Sequence, residues 1–169
     1  MGGADRIEVD LAQQRLVLHR AGRPPLEYPV STGAAGAGEQ EGSGGTPRGR
    51  HVIRAKIGAG LPPGTVFVGR RPTGEVWSPA LAASAPGRDW ILSRVLWLSG
   101  LEPGRNRLGE VDTMRRYIYI HGTPEEASLG QPVSHGCIRM SNADVIDLFD
   151  RVSPGDEVLI HEGPRKRSA

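Results

Sequence analysis

Residues 116–121, Arg-Tyr-Ile-Tyr-Ile-His, leave the chain least choice. Ile118 and Ile120 alternate with Tyr117, Tyr119 and His121, a period of two that suits an extended strand with one face in a core. The β-branched and aromatic side chains favour the same conformation. Such a strand needs neighbours, and the chain supplies short ones. Residues 7–10, 14–19 and 26–30 alternate in the same way, and turn-like residues 11–13 and 21–25 join them. They predict an antiparallel meander whose third strand, carrying Pro29, lies at an edge. Further strands are expected over 51–57, 66–68 and 157–161.

The chain has 24 glycines and 14 prolines among 169 residues, well above the usual share of about 12%. That excess favours many turns and short strands over long helices. Residues 33–45 are rich in Gly, Ala and Ser and read as a mobile surface loop. The loop lacks the Gly-Lys-Ser/Thr ending of a phosphate-binding loop, and no strand–helix pair brackets it. Residues 69–88 hold three prolines and Trp77 and read as an irregular excursion over the surface. Residues 89–98 are apolar and ambiguous. Ile91, Val95 and Leu98 fit a helical stripe, but the β-branched and aromatic content and Gly100 favour a buried strand.

One helix stands out, over about 141–152. Ser141 is a good N-cap, with Asp144 in the capping-box position. Val145, Phe149 and Val152 form an apolar face flanked by Ile146 and Leu148, and Ser153-Pro-Gly155 stops the helix. The expected fold is mainly β, sandwich- or barrel-like, with this one main helix. Residues 1–169 read as a single domain with a core over about 5–161 and a solvated basic tail at 164–169.

Net charge is +2, with acids and bases mixed along the chain, and there is no basic stripe interleaved with aromatics; nucleic acid is not an expected partner. The first residues contain no apolar run, so neither a secretory signal nor a membrane span is expected. Met1-Gly2 is no myristoylation start, because position 6 is Arg6.

The chemistry gathers in one region. Cys137, the single cysteine, lies in Ser134-His-Gly-Cys137, and His121 ends the clearest strand. One cysteine excludes an intramolecular disulfide framework and a multi-Cys zinc ribbon. A lone thiol with imidazoles nearby fits a nucleophile with its base. His121, at the end of a rigid strand, is a better base than His135, and a backbone carbonyl at Gly122 could orient its ring. A thiol in this turn is expected near the N-terminus of the following helix, where exposed N–H groups favour the thiolate. The N–H groups of Gly136 and Cys137 could form an oxyanion hole, and Arg139 could grip a substrate carboxylate. Other readings stand beside this one. An isolated cysteine in a β-rich domain is more often buried and inert. His121, His135 and Cys137 could also be three ligands of a catalytic zinc, although no acidic partner is adjacent in sequence. His19, His51 and His161 read as ordinary strand or surface histidines.

Ile120-His-Gly-Thr123 followed by Ser134-His-Gly-Cys-Ile-Arg-Met140 resembles the signature of the L,D-transpeptidase catalytic domain, the YkuD family. Ser31-Thr-Gly33, Thr46-Pro-Arg-Gly49, Leu96-Trp-Leu98, Asn106, Asp112-Thr113 and Arg116-Tyr-Ile-Tyr-Ile-His121 are similar to further landmarks in the same order, and the likeness covers about residues 5–161. The resemblance implies Cys137 as nucleophile and His121 as base, oriented by the Gly122 carbonyl. It implies that Ser134, His135 and Gly136 shape the oxyanion and substrate pocket, that Arg139 contacts substrate, and that residues 69–88 cap the cleft. The implied reaction is acyl transfer on peptidoglycan stem peptides, with no metal or organic cofactor and in a monomer. The terminal D-Ala leaves from the third residue, usually diaminopimelate, and an amine accepts the acyl group in a 3→3 cross-link. Water as acceptor would make the protein a carboxypeptidase, a lipoprotein lysine an anchoring enzyme, and loss of chemistry a silent peptidoglycan-binding module. Family members that act on the wall are exported, so the periplasm or cell envelope is expected from the resemblance. The absence of a signal in these first residues leaves the cytoplasm as the alternative.

Overall fold

A computed structural model describes residues 5–163; the basic tail at 164–169 lies outside the described residues. The period-two stretches form the expected meander: β1 (Arg6–Asp10), β2 (Arg15–Arg20) and β3 (Arg23–Pro29) pair antiparallel in turn. Pro29 ends β3, which lies at one end of the sheet, where a missing N–H costs no ladder bond. The remaining strands are β4 (Gly49–Ile57), β5 (Thr65–Val68), β6 (Arg71–Val76), β7 (Ile91–Gly100), β8 (Tyr119–Gly122), β9 (Ile138–Met140) and β10 (Glu157–His161). Ten strands make one sheet in the order β3-β2-β1-β10-β4-β7-β5-β6, with β8 on β7 and β9 on β8. The sheet curls into a half-barrel, so the barrel-like side of the expectation is the one observed.

β7 resolves the ambiguity of residues 89–98 in favour of the strand. It pairs with β4, β5 and β8 along its ten residues. Between Leu92 and Val95 its register with β8 shifts, and Ser93 sits there at φ 72°. This bulge frees the Ser93 hydroxyl to donate to Asn142 Oδ1 at 2.5 Å, fastening the strand to the main helix.

That helix is α2 (Asn142–Arg151), capped by Ser141, whose hydroxyl accepts from Asp144 N–H at 3.0 Å. Val145, Leu148 and Phe149 are its buried residues, so Leu148 belongs to the central stripe rather than its flank. They pack on a core that includes Ile7, Leu16, Ile53, Leu96, Leu98, Ile120 and Met140.

Three expectations need correction. Residues 69–88 are not irregular. Gly69 and Arg70, at φ 56° and 64°, make a tight turn that folds β6 back on β5, and Pro72 is tolerated because β6 is an edge. A second helix follows, α1 (Pro79–Ser84), with Ser78 accepting from Leu81 N–H and a proline opening its first turn. The strand expected from residue 116 begins at Tyr119, because Tyr117 adopts φ 57° and turns outward. Finally, the loop over 33–45 is tied down. Gly38 and Thr46 exchange backbone bonds with Thr46 and Gly36, and the Glu41 amide donates to Glu110. The Arg116 guanidinium donates to the carbonyls of Gly38, Glu39 and Gly45.

Candidate active site

β8 and β9 run parallel, with Ile120 opposite Ile138 and His121 opposite Arg139. Side chains alternate along both strands. Ile118, Ile120, Ile138 and Met140 therefore enter the main core, while Tyr119, His121, Cys137 and Arg139 share the other face. By this register Cys137 falls opposite Tyr119, and His121 follows two residues on along the same face of β8, so strand pairing brings thiol and imidazole into one neighbourhood.

Cys137 lies one residue before β9 and is half-buried. The Tyr119 N–H donates to its sulfur at 3.3 Å, and the thiol reaches the Tyr117 carbonyl at 3.4 Å. Burial pushes the thiol up to about 11; the Tyr119 N–H opposes this, Asp89 adds to it, and Arg139 and Arg116 pull it down. The resting group is the neutral thiol. The expected helix N-terminus does not act on it, because the three residues of β9 and the cap Ser141 separate Cys137 from α2. At about 3.3 Å per residue that distance outruns the first turn, where the dipole is felt.

His121 is buried and its Nδ1 lies 2.7 Å from the Gly122 carbonyl. A carbonyl only accepts, so Nδ1 carries the proton and Nε2 keeps its lone pair. Burial lowers its pKa, opposed by the Gly122 carbonyl and Asp89, and the imidazole rests neutral. Gly122 has no room for a side chain: a Cβ would stand 2.6 Å from both the Leu92 carbonyl and Asn142 Oδ1.

The turn from Ser134 to Cys137 is closed by one hydroxyl. Ser134 Oγ accepts from Gly136 N–H at 3.1 Å and donates to the Cys137 carbonyl at 2.6 Å. Gly136 takes φ 125°, and Thr46 Oγ1 donates to its carbonyl at 2.9 Å. This corrects the expected oxyanion pair. The Gly136 N–H is committed to Ser134, whereas among the described residues none accepts from the Cys137 amide. The His135 side chain is 78% exposed, its Nδ1 3.6 Å from Asp89 Oδ2. It does not converge with His121 and Cys137 as a metal ligand: among the described residues no three His, Cys, Asp or Glu side chains are grouped to hold an ion.

Arg139 is also not a free fork. Its guanidinium donates to Asp89 at 3.1 Å and Glu125 at 3.3 Å. These residues line a cavity of about 210 Å³ together with Arg88, Trp90 and His135, floored by Ala82 and Ala85 at the end of α1. The end of the 69–88 segment thus borders this cavity, whose lining includes neither Cys137 nor His121. A second groove, about 380 Å³, runs past Glu41, Gly44, Arg116 and Tyr117 on the other side of His135. Sequence reasoning missed Asp89, Glu125 and Thr46 as parts of the site. Only Thr46 carried a signal, in the Thr46-Pro-Arg-Gly49 landmark.

The family model for the YkuD L,D-transpeptidase catalytic domain matches residues 4–160. The Salmonella typhimurium protein named Probable L,D-transpeptidase ErfK/SrfK is 31% identical over 166 residues, covering 96% of this chain and 46% of its own length. The chain spans under half the length of the curated relatives it matches. Among solved structures, an L,D-transpeptidase from Mycobacterium smegmatis superposes with a TM-score of 0.59 at 21% identity, over 93% of this chain and 58% of that one. L,D-transpeptidase 3 from Mycobacterium tuberculosis in complex with a faropenem-derived adduct gives 0.56 at 18% identity, over 94% and 60%. At such identities the likeness speaks for the fold.

Proposed function

The chain belongs to the L,D-transpeptidase catalytic-domain family, and from that membership we propose that it is a cysteine-dependent acyltransferase making 3→3 cross-links in peptidoglycan. The observation that carries the reading is the shared face of β8 and β9, with Cys137 on the same face as a His121 whose Nδ1 is held by the Gly122 carbonyl. Thiol and imidazole both rest neutral, so the proton moves as the bond forms. Sγ attacks the carbonyl carbon at the L-centre of the third stem residue, usually diaminopimelate, and its proton passes to His121 Nε2. The Cys137 amide receives the developing oxyanion. Collapse breaks the bond to D-Ala, whose nitrogen takes the proton from His121 and leaves. The thioester then accepts an amine from a neighbouring stem. His121 takes that amine's proton and returns it to the departing sulfur, so the thiol is regenerated.

Every step uses side chains and amides of this chain, with no metal or organic cofactor in the scheme. The substrate places the enzyme's work at the cell envelope. Among the described residues no helix is long and apolar enough to cross a membrane.

Mass spectrometry after exposure to a carbapenem, a strained acyl donor, tests the acyl-enzyme. One adduct on Cys137 is expected, absent from Cys137→Ala, and an unmodified wild-type protein would sink the reading. Incubation with two tetrapeptide stems then identifies the acceptor. Dimer with loss of D-Ala supports transfer, whereas tripeptide without dimer makes the protein a carboxypeptidase.

A further inference from the structure

Arg116 stands out among the arginines around the sulfur. It is half-buried, and among the described residues no carboxylate lies within ion-pair distance of it. Its guanidinium instead collects three backbone carbonyls of the glycine-rich loop: Gly38 at 2.9 Å, Glu39 at 3.2 Å and Gly45 at 2.7 Å. The Gly45 carbonyl lies against the nucleophile's turn. A Cβ on Gly136 would meet the Gly45 oxygen at 3.1 Å, and Thr46, next along, donates to the Gly136 carbonyl. On its other side Arg116 is followed by Tyr117, whose carbonyl accepts the thiol, and Tyr119, whose amide donates to the sulfur. One side chain therefore joins both walls of the thiol's seat.

We propose that Arg116 is a positioning residue for Cys137, clamping the Gly38–Gly45 arm against the turn and adding on that side of the thiol a positive charge with no carboxylate bonded to it. The charge argument follows from the neighbours. Arg139 and Asp89 also act on Cys137, with opposite signs, and they are bonded to each other at 3.1 Å, so their effects oppose. Arg116 has no such partner. Burial weakens its own charged form, and Glu39, Cys137 and Glu41 support it. The titratable groups around the sulfur are Tyr119 and His121 from β8, Arg139 from β9, Asp89 ahead of β7, and Arg116 and Tyr117 ahead of β8. Glu39 and Glu41 lie in the loop beyond Arg116. The proposal rests on Cys137 being the attacking group.

The test is the rate of Cys137 alkylation by iodoacetamide as a function of pH, in wild type, Arg116→Gln and Arg116→Lys. Removing a nearby charge should move the thiol titration up by about one unit and slow alkylation at neutral pH about tenfold in the Gln variant. The Lys variant keeps the charge and should titrate like wild type. It loses the fork that holds the arm, so its carbapenem acylation should fall. A Gln variant titrating like wild type overturns the proposal, as does a Lys variant shifted as far as Gln. If the Gln variant does not fold, the Lys titration decides alone, because an upward shift with the charge retained contradicts the electrostatic role. Iodoacetamide reads the thiol whatever its natural electrophile. A wild type that alkylates but takes no carbapenem would therefore refute the acyl-enzyme and leave the result for Arg116 standing.

Discussion

His121 is useful as a base only in one tautomer, and the Gly122 carbonyl selects it at 2.7 Å. His121→Ala should leave the protein folded and lower the rate of Cys137 acylation by about 10²–10⁴-fold, the range for general acid–base catalysis. Stopped-flow acylation with a chromogenic β-lactam measures this, and an unchanged rate would move the base elsewhere. Both residues proposed for the chemistry were legible because each sits in a short motif whose spacing is local. Asp89 was not: it meets Arg139 across fifty residues of sequence, and nothing in its own neighbourhood announces the contact. The same holds for Glu125. Arg116 was visible as part of a strand pattern, but its job depends on a loop whose path the sequence leaves open. The cap Ser141, by contrast, acts on its own helix three residues away, and such contacts can be read from order alone.

At the scale of elements, the site is a register. His121 is opposite Arg139 and Cys137 falls next before β9 only because β8 lies close against β7 and α2. Gly122 is where that closeness is tightest. Gly122→Ala would drive a methyl into the Leu92 carbonyl, part of a central strand that cannot yield, and into Asn142, which opens α2. We expect a loss of about 1–3 kcal/mol in urea-induced unfolding, the usual cost of overpacking, together with slower acylation as the orienting carbonyl shifts. An unfolding midpoint equal to wild type would show that the contact relaxes freely. Alternation and Ser141 made most strands and α2 predictable. β6 and α1 were hidden because proline reads as a breaker, whereas Pro72 here occupies an edge strand and Pro79 a first helical turn.

The whole molecule carries a second buried imidazole with a different consequence. His51 bonds Gly49 O at 3.1 Å and Thr113 Oγ1 at 3.0 Å, and burial lowers its pKa to about 4. In the unfolded chain a histidine titrates near 6.5. Between those values the unfolded chain takes up a proton that the folded one refuses. The contribution is therefore complete above about pH 6.5, declines as pH falls, and levels off below about 4. It is worth about 3 kcal/mol as an order of magnitude. Urea titrations across this window should show the decline in wild type and a shallower one in His51→Gln; equal slopes would contradict it. Glu102, held low by the Arg50 amide, adds its own loss only at still lower pH, in the carboxylate range. Sequence alone did not distinguish this histidine from a surface one, because its side-chain partner Thr113 arrives from a turn 62 residues further along the chain. Nor did it show where β10 goes. The last of the ten strands in chain order sits between β1 and β4, parallel to one and antiparallel to the other. While the chain is still emerging from a ribosome, the meander of β1 to β3 and the sheet around β7 are two pieces with no ladder between them. The strand that joins them emerges after the other nine, so the half-barrel closes in one late step and its long-range pairings wait for β10.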